Sequence, residues 1–178
     1  MLTSAQRQQY QQECLKILGH TGTVLRPEEA AGLELADFGL GTFAAEGLGL
    51  VVYENNSRYC AKELIMLPGQ SCPQHRHPPV GSDPGKMETF RCRWGKVFLY
   101  VDGAASGQAA CRAPAGKGKH YTVWREIVLG PGEQFTIPPN TWHWFQAGAQ
   151  GAVVSEFSST SRDEADVFAD PAIVRVEK

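Results

Sequence analysis

Two stretches of the chain contain most of its structural information: GQSCPQHRHPPVGSDPGKMETFRCRWG at residues 69–95 and GEQFTIPPNTWH at residues 132–143. Within them, short runs such as ETFRCR and QFTI are bounded by glycine or proline. This punctuation is typical of strands separated by turns. The run PPVGSDPGKM at residues 78–87 is too rich in proline and glycine for a strand and predicts a loop.

The same punctuation continues in both directions along the chain. We predict strands at residues 33–38, 48–54, 59–67, 88–93, 96–102, 121–129, 134–137, 142–147, 151–157 and 172–176. A long hairpin tip at residues 103–119 interrupts this rhythm. Many short strands with so little helix between them indicate an all-β barrel or sandwich.

The N-terminal region has a different pattern. Residues 4–18 predict a helix, because apolar side chains from Tyr10 to Leu18 recur at three- and four-residue steps. We therefore expect a single domain over residues 1–178, with an N-terminal helical segment at 1–32 and a β-barrel at 33–178.

Composition excludes several classes of function. The chain has 178 residues, 17 Lys and Arg against 19 Asp and Glu, and a net charge of -2, so it lacks the basic surface expected of a nucleic-acid-binding protein. No run reaches the roughly 18 apolar residues that a membrane span needs, and the glutamine-rich N-terminus has no signal-peptide pattern. We expect a cytoplasmic protein with no membrane contact. Its five widely spaced cysteines predict reduced, mostly buried thiols.

Three histidines and one glutamate in the quoted stretches could form a metal site. His75 and His77 project from the same face of an extended strand, Glu88 opens the next strand, and His143 follows a proline corner. Three imidazoles and one carboxylate suit a divalent ion such as Mn²⁺, Fe²⁺, Co²⁺, Ni²⁺ or Zn²⁺ and disfavour Ca²⁺. A His-x-His pair alone is more often a surface or hydrogen-bonded pair, so the residues around it must also fit a metal site.

The spacing of glycines and prolines around these four residues resembles the two motifs of the cupin superfamily. Five residues separate Gly69 from His75, six separate Glu88 from Gly95, and Gly132 precedes the proline corner by five residues. The resemblance implies an all-β cupin double-stranded β-helix, a jelly-roll-like barrel with an N-terminal helix, holding one metal ion at its mouth. The ten residues between His77 and Glu88 are longer than the usual cupin spacing. Asn140 stands where glycine is usual, and Asn tolerates the left-handed backbone that this turn requires.

The insertion points to one branch of the superfamily. GKMETF after CPQHRHP, together with ADFGLG at residues 36–41 and SEFSSTSRDEADVF at 155–168, resembles the D-lyxose ketol-isomerase family. The resemblance implies a metal-dependent isomerase that interconverts D-lyxose and D-xylulose, and D-mannose and D-fructose, through a cis-enediol. It places the metal, Mn²⁺ or else Co²⁺, Zn²⁺ or Fe²⁺, on His75, His77, Glu88 and His143. It also implies a homodimer, as does the apolar face of the N-terminal helix.

An aldose–ketose isomerase needs a base beside the metal and a cation near the developing charge. Glu156 is our first candidate for the base, because a carboxylate in GAVVSEFSS is out of place unless it faces a polar cavity. The alternative is a salt bridge at a strand end, with Arg162 as partner. Lys86, two residues before Glu88, could neutralise an enediolate, although an exposed loop lysine is the default. Lys62 is the third candidate, pointing inward with Leu64 and Met66.

Two other functions remain open at this stage. The same barrel with three histidines and one glutamate serves metal dioxygenases, and a cupin can bind a small polar ligand without turnover. The ligand set does not separate these alternatives, because function depends on the pocket rather than on the fold.

Overall fold

The computed structural model describes residues 2–175 and consists mainly of one curled antiparallel sheet. Its elements, in chain order, are helices α1 (Ser4–Gly19) and α2 (Pro27–Ala31), strands β1 (Glu34–Ala36), β2 (Leu48–Asn55), β3 (Cys60–Met66), β4 (Ser71–Arg76) and β5 (Glu88–Val101), a 3₁₀ turn (Gly118–His120), strands β6 (Arg125–Leu129), β7 (Gln134–Ile137) and β8 (His143–Ser158), a second 3₁₀ turn (Asp163–Ala165), and strand β9 (Val167–Phe168).

Two long strands, β5 and β8, hold the sheet together. The strands follow the order β1-β2-β3-β8-β4-β9, while β5 pairs with β6, β7 and β8. The first part of β8 pairs with β4 and its last part with β3, so the sheet curls around this strand. The predicted all-β fold with an N-terminal helix is confirmed as a curled antiparallel half-barrel.

Several predicted strand boundaries are wrong. The predicted pairs 88–93 with 96–102 and 142–147 with 151–157 form single strands, β5 and β8. Gly95 and Gly151, with φ of 73° and 91°, bend these strands without ending them. The two glycines face each other so closely that a Cβ on Gly95 would lie 2.1 Å from the Gly151 carbonyl oxygen. Glycine here permits close backbone approach at a bulge rather than a turn.

The ends of the sheet also differ from the prediction. Strand β6 begins at Arg125 rather than at 121, and residues 172–175 form turns instead of a strand. Residue 176 lies outside the described residues. Strand β9 was not predicted, because two residues are too short for a periodic pattern.

Helix α1 packs on the outer face of the barrel. Its Cys14, Ile17 and Leu18 form a cluster with Ile65 of β3 and Val153 of β8. The apolar face of the helix is therefore covered by its own chain and gives no argument for a second copy. All five cysteines are buried and free, as predicted. No helix among residues 2–175 has the length and apolar character needed to cross a membrane.

A separate apolar cluster fills the inside of the barrel. Leu64, Phe90, Leu99 and Phe145 belong to it and are almost fully buried. This cluster forms the floor beneath the predicted metal ligands, so the site lies on a rigid, close-packed base.

Candidate active site

The barrel brings His75, His77, Glu88 and His143 together. His75 on β4 lies opposite His143 on β8 in the strand register, and Glu88 is the first residue of β5. All four residues are buried, and one ligand atom from each lies within 4.8 Å of the others. The group could bind a metal ion.

Each of the three histidines uses Nδ1 in a hydrogen bond, which leaves its Nε2 free to face the point where the four side chains converge. His75 Nδ1 donates to the Pro73 carbonyl at 2.8 Å, and His143 Nδ1 donates to the Thr141 carbonyl at 2.9 Å. His77 Nδ1 donates to Asp166 Oδ1 at 2.5 Å. Because each Nδ1 carries the proton, each Nε2 presents a lone pair when the ring is neutral.

Three atoms at the centre are buried without a hydrogen-bond partner among the described residues: His77 Nε2, His143 Nε2 and Glu88 Oε1. Glu88 Oε1 lies 2.9 Å from His143 Nε2 and 3.3 Å from His77 Nε2. Buried polar atoms are rarely left unpaired, because each costs about 1–3 kcal/mol. Orphaned imidazole nitrogens and a carboxylate oxygen converging on one point fit a divalent metal ion.

The charges around the centre keep Glu88 ionised. Burial alone raises the pKa of Glu88, but Lys86 and His77 outweigh it and hold the pKa well below its usual range. Burial, with His143 and His77 nearby, lowers the pKa of His75. Burial opposes charge on His77 too, yet Glu88 and Asp166 raise its pKa to about 9.

A second group of charges adjoins the ligands. Lys86 Nζ lies between Glu88 Oε2, at 2.7 Å, and Glu156 Oε1, at 2.5 Å. Lys62 Nζ lies 3.6 Å from the same Glu156 oxygen and donates to Ser161 Oγ at 3.3 Å. Burial opposes charge on Lys86, but Glu156 and Glu88 raise its pKa above its usual value. The arrangement places a buried carboxylate and two lysines beside the metal-ligand group.

Comparison with known proteins agrees with this geometry. The family model described as D-lyxose isomerase matches residues 9–178. The chain belongs to the D-lyxose isomerase family. The predicted family resemblance is confirmed over almost the whole chain.

Individual relatives support the assignment. The chain is 62% identical to a D-lyxose ketol-isomerase of Cohnella laeviribosi, over 87% of this chain and 85% of the relative. It is 55% identical to a D-lyxose/D-mannose isomerase of Thermosediminibacter oceani, over 99% and 97% of the two chains. Its fold matches the structure of an Acinetobacter L-ribose isomerase in complex with L-ribose, with a TM-score of 0.79, 16% identity, and coverage of 97% and 94%.

The positions of the predicted catalytic residues follow from the sheet register. In this member of the family, Glu156 on β8 pairs with Lys62 on β3 and with Phe90 on β5. The expectation that Glu156 lies on a separate strand beside His143 is wrong, because both residues belong to β8. Arg162 is not its partner: it contacts Asp83 at 2.6 Å instead.

Both candidate lysines, Lys62 and Lys86, are buried and line the cavity. Lys62 faces the cavity, whereas Glu63 faces the outer side of the sheet and contacts Ser155. Lys86 is 7% exposed, so it is not the exposed loop lysine that base rates favour. Asn140 has φ of 56°, which confirms the left-handed turn expected at this position.

Residues near the C-terminus that line the cavity were not predicted from the sequence. Arg175 contacts Asp163 at 2.5 Å and Glu34 at 2.6 Å, and both Arg175 and Asp163 line the cavity. Phe38, with a left-handed φ of 54°, lines it as well. A left-handed conformation in a bulky residue is uncommon, and this signal cannot be read from the sequence. The contact of Arg175 with Glu34 joins residues more than a hundred positions apart, so no local pattern predicts it.

Proposed function

We propose that the protein is a metal-dependent D-lyxose ketol-isomerase that interconverts D-lyxose and D-xylulose, with D-mannose and D-fructose as a second pair. The observation that supports this most directly is the buried Lys86–Glu156 contact of 2.5 Å beside the His75, His77, Glu88 and His143 group. The D-lyxose isomerases among its relatives, at 53% identity and above, support the same reaction.

In this proposal, His75, His77, Glu88 and His143 hold one divalent metal ion, Mn²⁺ first and Co²⁺, Zn²⁺ or Fe²⁺ as alternatives. The bound ion supplies Lewis-acid polarisation of the sugar carbonyl and the neighbouring hydroxyl. The donor set supports a first-row divalent ion because imidazole nitrogens outnumber the single carboxylate.

Glu156 is the proposed base. Its carboxylate takes the proton from C2 of the open-chain aldose and returns it to C1, while a hydroxyl proton passes from O2 to O1. Lys86, held as a cation, offsets the negative charge that develops on the enediolate oxygens. Lys62 Nζ lies 3.6 Å from the same Glu156 oxygen that Lys86 contacts, so both lysines position the carboxylate.

The cavity above these groups has both polar and apolar walls. Phe90, Phe145 and Phe168 supply apolar wall, and the cavity volume is ≈ 40 Å³. That volume holds about three water molecules. The ion pair of Arg175 with Asp163 lies on the wall of this cavity.

The reaction can be tested with metal-stripped protein, D-lyxose and added Mn²⁺ under anaerobic conditions in D₂O. We expect D-xylulose as product, with solvent deuterium at C1, because the transferred proton exchanges while it resides on Glu156. Absence of ketose from every pentose and hexose, with each of the four metals, would overturn the proposal. Oxygen consumption in an aerobic assay would indicate a dioxygenase instead, and sugar binding without turnover would indicate a binding protein.

We also propose that the protein forms a homodimer, as the family resemblance implies. Exposed aromatic side chains support this proposal: Tyr53, Tyr59 and Phe157 are 42–53% exposed. Sedimentation equilibrium tests this directly, and a monomer mass at micromolar concentration would contradict it.

A further inference from the structure

We infer that Asp166 is a positioning residue that fixes the orientation and proton position of His77 and thereby sets the affinity of the metal centre. This inference rests on the metal centre proposed above. Asp166 itself lies behind the imidazole: its Oδ1 accepts from His77 Nδ1, while His77 Nε2 faces Glu88.

The three histidines are held in two different ways. His75 and His143 each donate from Nδ1 to a main-chain carbonyl two residues earlier, so the neighbouring main chain orients them. His77 lies just beyond the end of β4, and its Nδ1 donates to a side chain 89 residues away. Of the three, only His77 depends on a distant side chain for its orientation.

Strand β9 brings Asp166 to this position. In the antiparallel pairing with β4, Phe168 lies opposite His75 and Val167 opposite Arg76. The next pair in this register is Asp166 with His77. Phe168 also stacks on the His75 ring, with centroids 5.3 Å apart and planes 25° apart. The two-residue strand therefore supports two of the ligand histidines from behind.

Burial makes this contact effective. The side chains of His77 and Asp166 are both 8% exposed, so water cannot readily replace the carboxylate. A carboxylate behind a ligand imidazole fixes the tautomer and makes Nε2 a better donor to the metal. Loss of such a partner typically costs 10–100-fold in metal affinity.

The test measures Mn²⁺ binding to metal-stripped protein by the electron paramagnetic resonance signal of free Mn²⁺. We expect Asp166→Ala to raise the Kd about 10–100-fold. Asp166→Asn keeps an oxygen that accepts from Nδ1, so its Kd should fall between those of the wild type and Asp166→Ala. This partial rescue separates positioning from a general loss of packing.

The matched control is Asp170→Ala. Asp170 lies four residues further along the same segment, is also buried, and contacts Lys117 rather than a ligand histidine. Its removal should leave the Kd close to the wild-type value. An equal loss in both alanine variants would attribute the effect to packing of the whole segment and overturn the inference.

A spectroscopic measurement reports the proton itself. In Zn²⁺-loaded protein, the His77 Nδ1–H should give a protected downfield proton resonance in NMR, which Asp166→Ala should abolish while the His75 and His143 resonances persist. Unchanged Mn²⁺ affinity in Asp166→Ala, with normal wild-type binding, would overturn this inference alone. A wild type that binds none of the four metals would overturn the metal centre, and the role of Asp166 with it.

Discussion

The molecule contains two groups of mostly buried ionisable side chains that differ in how their atoms are paired. We call them the metal-ligand group (His75, His77, Glu88 and His143) and the paired cluster (Glu46, Lys117, Tyr121 and Asp170). In the paired cluster, Tyr121 donates to Glu46 Oε1 at 2.7 Å and Lys117 to Asp170 Oδ2 at 2.6 Å. Within residues 2–175, none of its buried side-chain oxygens or nitrogens lacks a hydrogen-bond partner, whereas three atoms of the metal-ligand group do.

The difference separates a structural role from a functional one. The paired cluster joins the segment before β6 to the C-terminal segment and to Glu46, with Lys117 Nζ 2.6 Å from Asp170 and 3.8 Å from Glu46. The metal-ligand group keeps unpaired nitrogens and oxygen aimed at one point, which costs stability unless something binds there. Burial and charge alone do not distinguish the two groups. The buried atoms without a hydrogen-bond partner, which occur in the metal-ligand group, distinguish the two groups.

The largest expected effect is on kcat, and it distinguishes Glu156, beside the metal-ligand group, from Glu46 of the paired cluster. Glu156→Gln removes the proposed base without changing its size, so kcat for D-lyxose should fall by about 10²–10⁴-fold. Metal content should stay intact, because Glu156 is not among the four ligand residues. Turnover assays with metal analysis of the same sample measure both quantities.

Glu46→Ala is the control for that comparison. It leaves the Tyr121 hydroxyl without its acceptor, so the free energy of unfolding should fall by about 1–3 kcal/mol while kcat changes little. A large kcat loss in Glu46→Ala, or unaltered proton exchange in Glu156→Gln, would contradict the division of roles.

The next effect concerns ligand-linked stability. Mn²⁺ at a concentration 100 times its Kd should raise the free energy of unfolding of the wild type by about 2.7 kcal/mol. His143→Ala should abolish this increase, since it removes one of the four ligand atoms. His120→Ala should preserve it, because His120 contacts Asp170 of the paired cluster and not the metal-ligand group. Urea unfolding with and without Mn²⁺ measures the difference, and metal stabilisation of the His143 variant would contradict the ligand assignment.

The smallest effect concerns pH. Burial raises the pKa of Asp170, but Lys117 and the Ala172 N–H outweigh it and lower the pKa below 3.8. The ionised carboxylate therefore stabilises the folded state above pH 3.8, and this stabilisation is lost as pH falls through the lowered pKa. Asp170→Asn should cost about 1.5 kcal/mol at neutral pH. Urea unfolding at successive pH values should show this difference shrinking below pH 3.8; a constant difference would contradict the ion pair with Lys117.

Most of the metal-ligand group could be predicted because its members lie at short, recognisable spacings. His75 and His77 alternate along one strand, and His143 follows a proline corner. Glu156 and Lys62 could be proposed because a charge in an apolar strand must face a polar cavity. Their pairing across β3 and β8 could not, since strand register depends on the whole sheet.

The glycines show the limit of local patterns most clearly. Gly95 was predicted to separate two strands, and Gly151 was predicted to begin a new one. In the folded sheet they let two bent strands approach each other closely, so β5 and β8 continue through them. The choice between a turn and a bulge depends on a neighbouring strand that is distant in sequence.

The amino-acid sequence alone predicted the all-β class, the family and the four proposed metal ligands, because strand punctuation, motif resemblance and ligand spacing can be read from short stretches of the chain. The pairing of Lys86 with Glu156, the cavity wall at Arg175 and the support of His77 by Asp166 required the folded structure. These contacts connect segments tens to more than a hundred residues apart. Their geometry arises from strand register and side-chain packing, which no short stretch of sequence specifies.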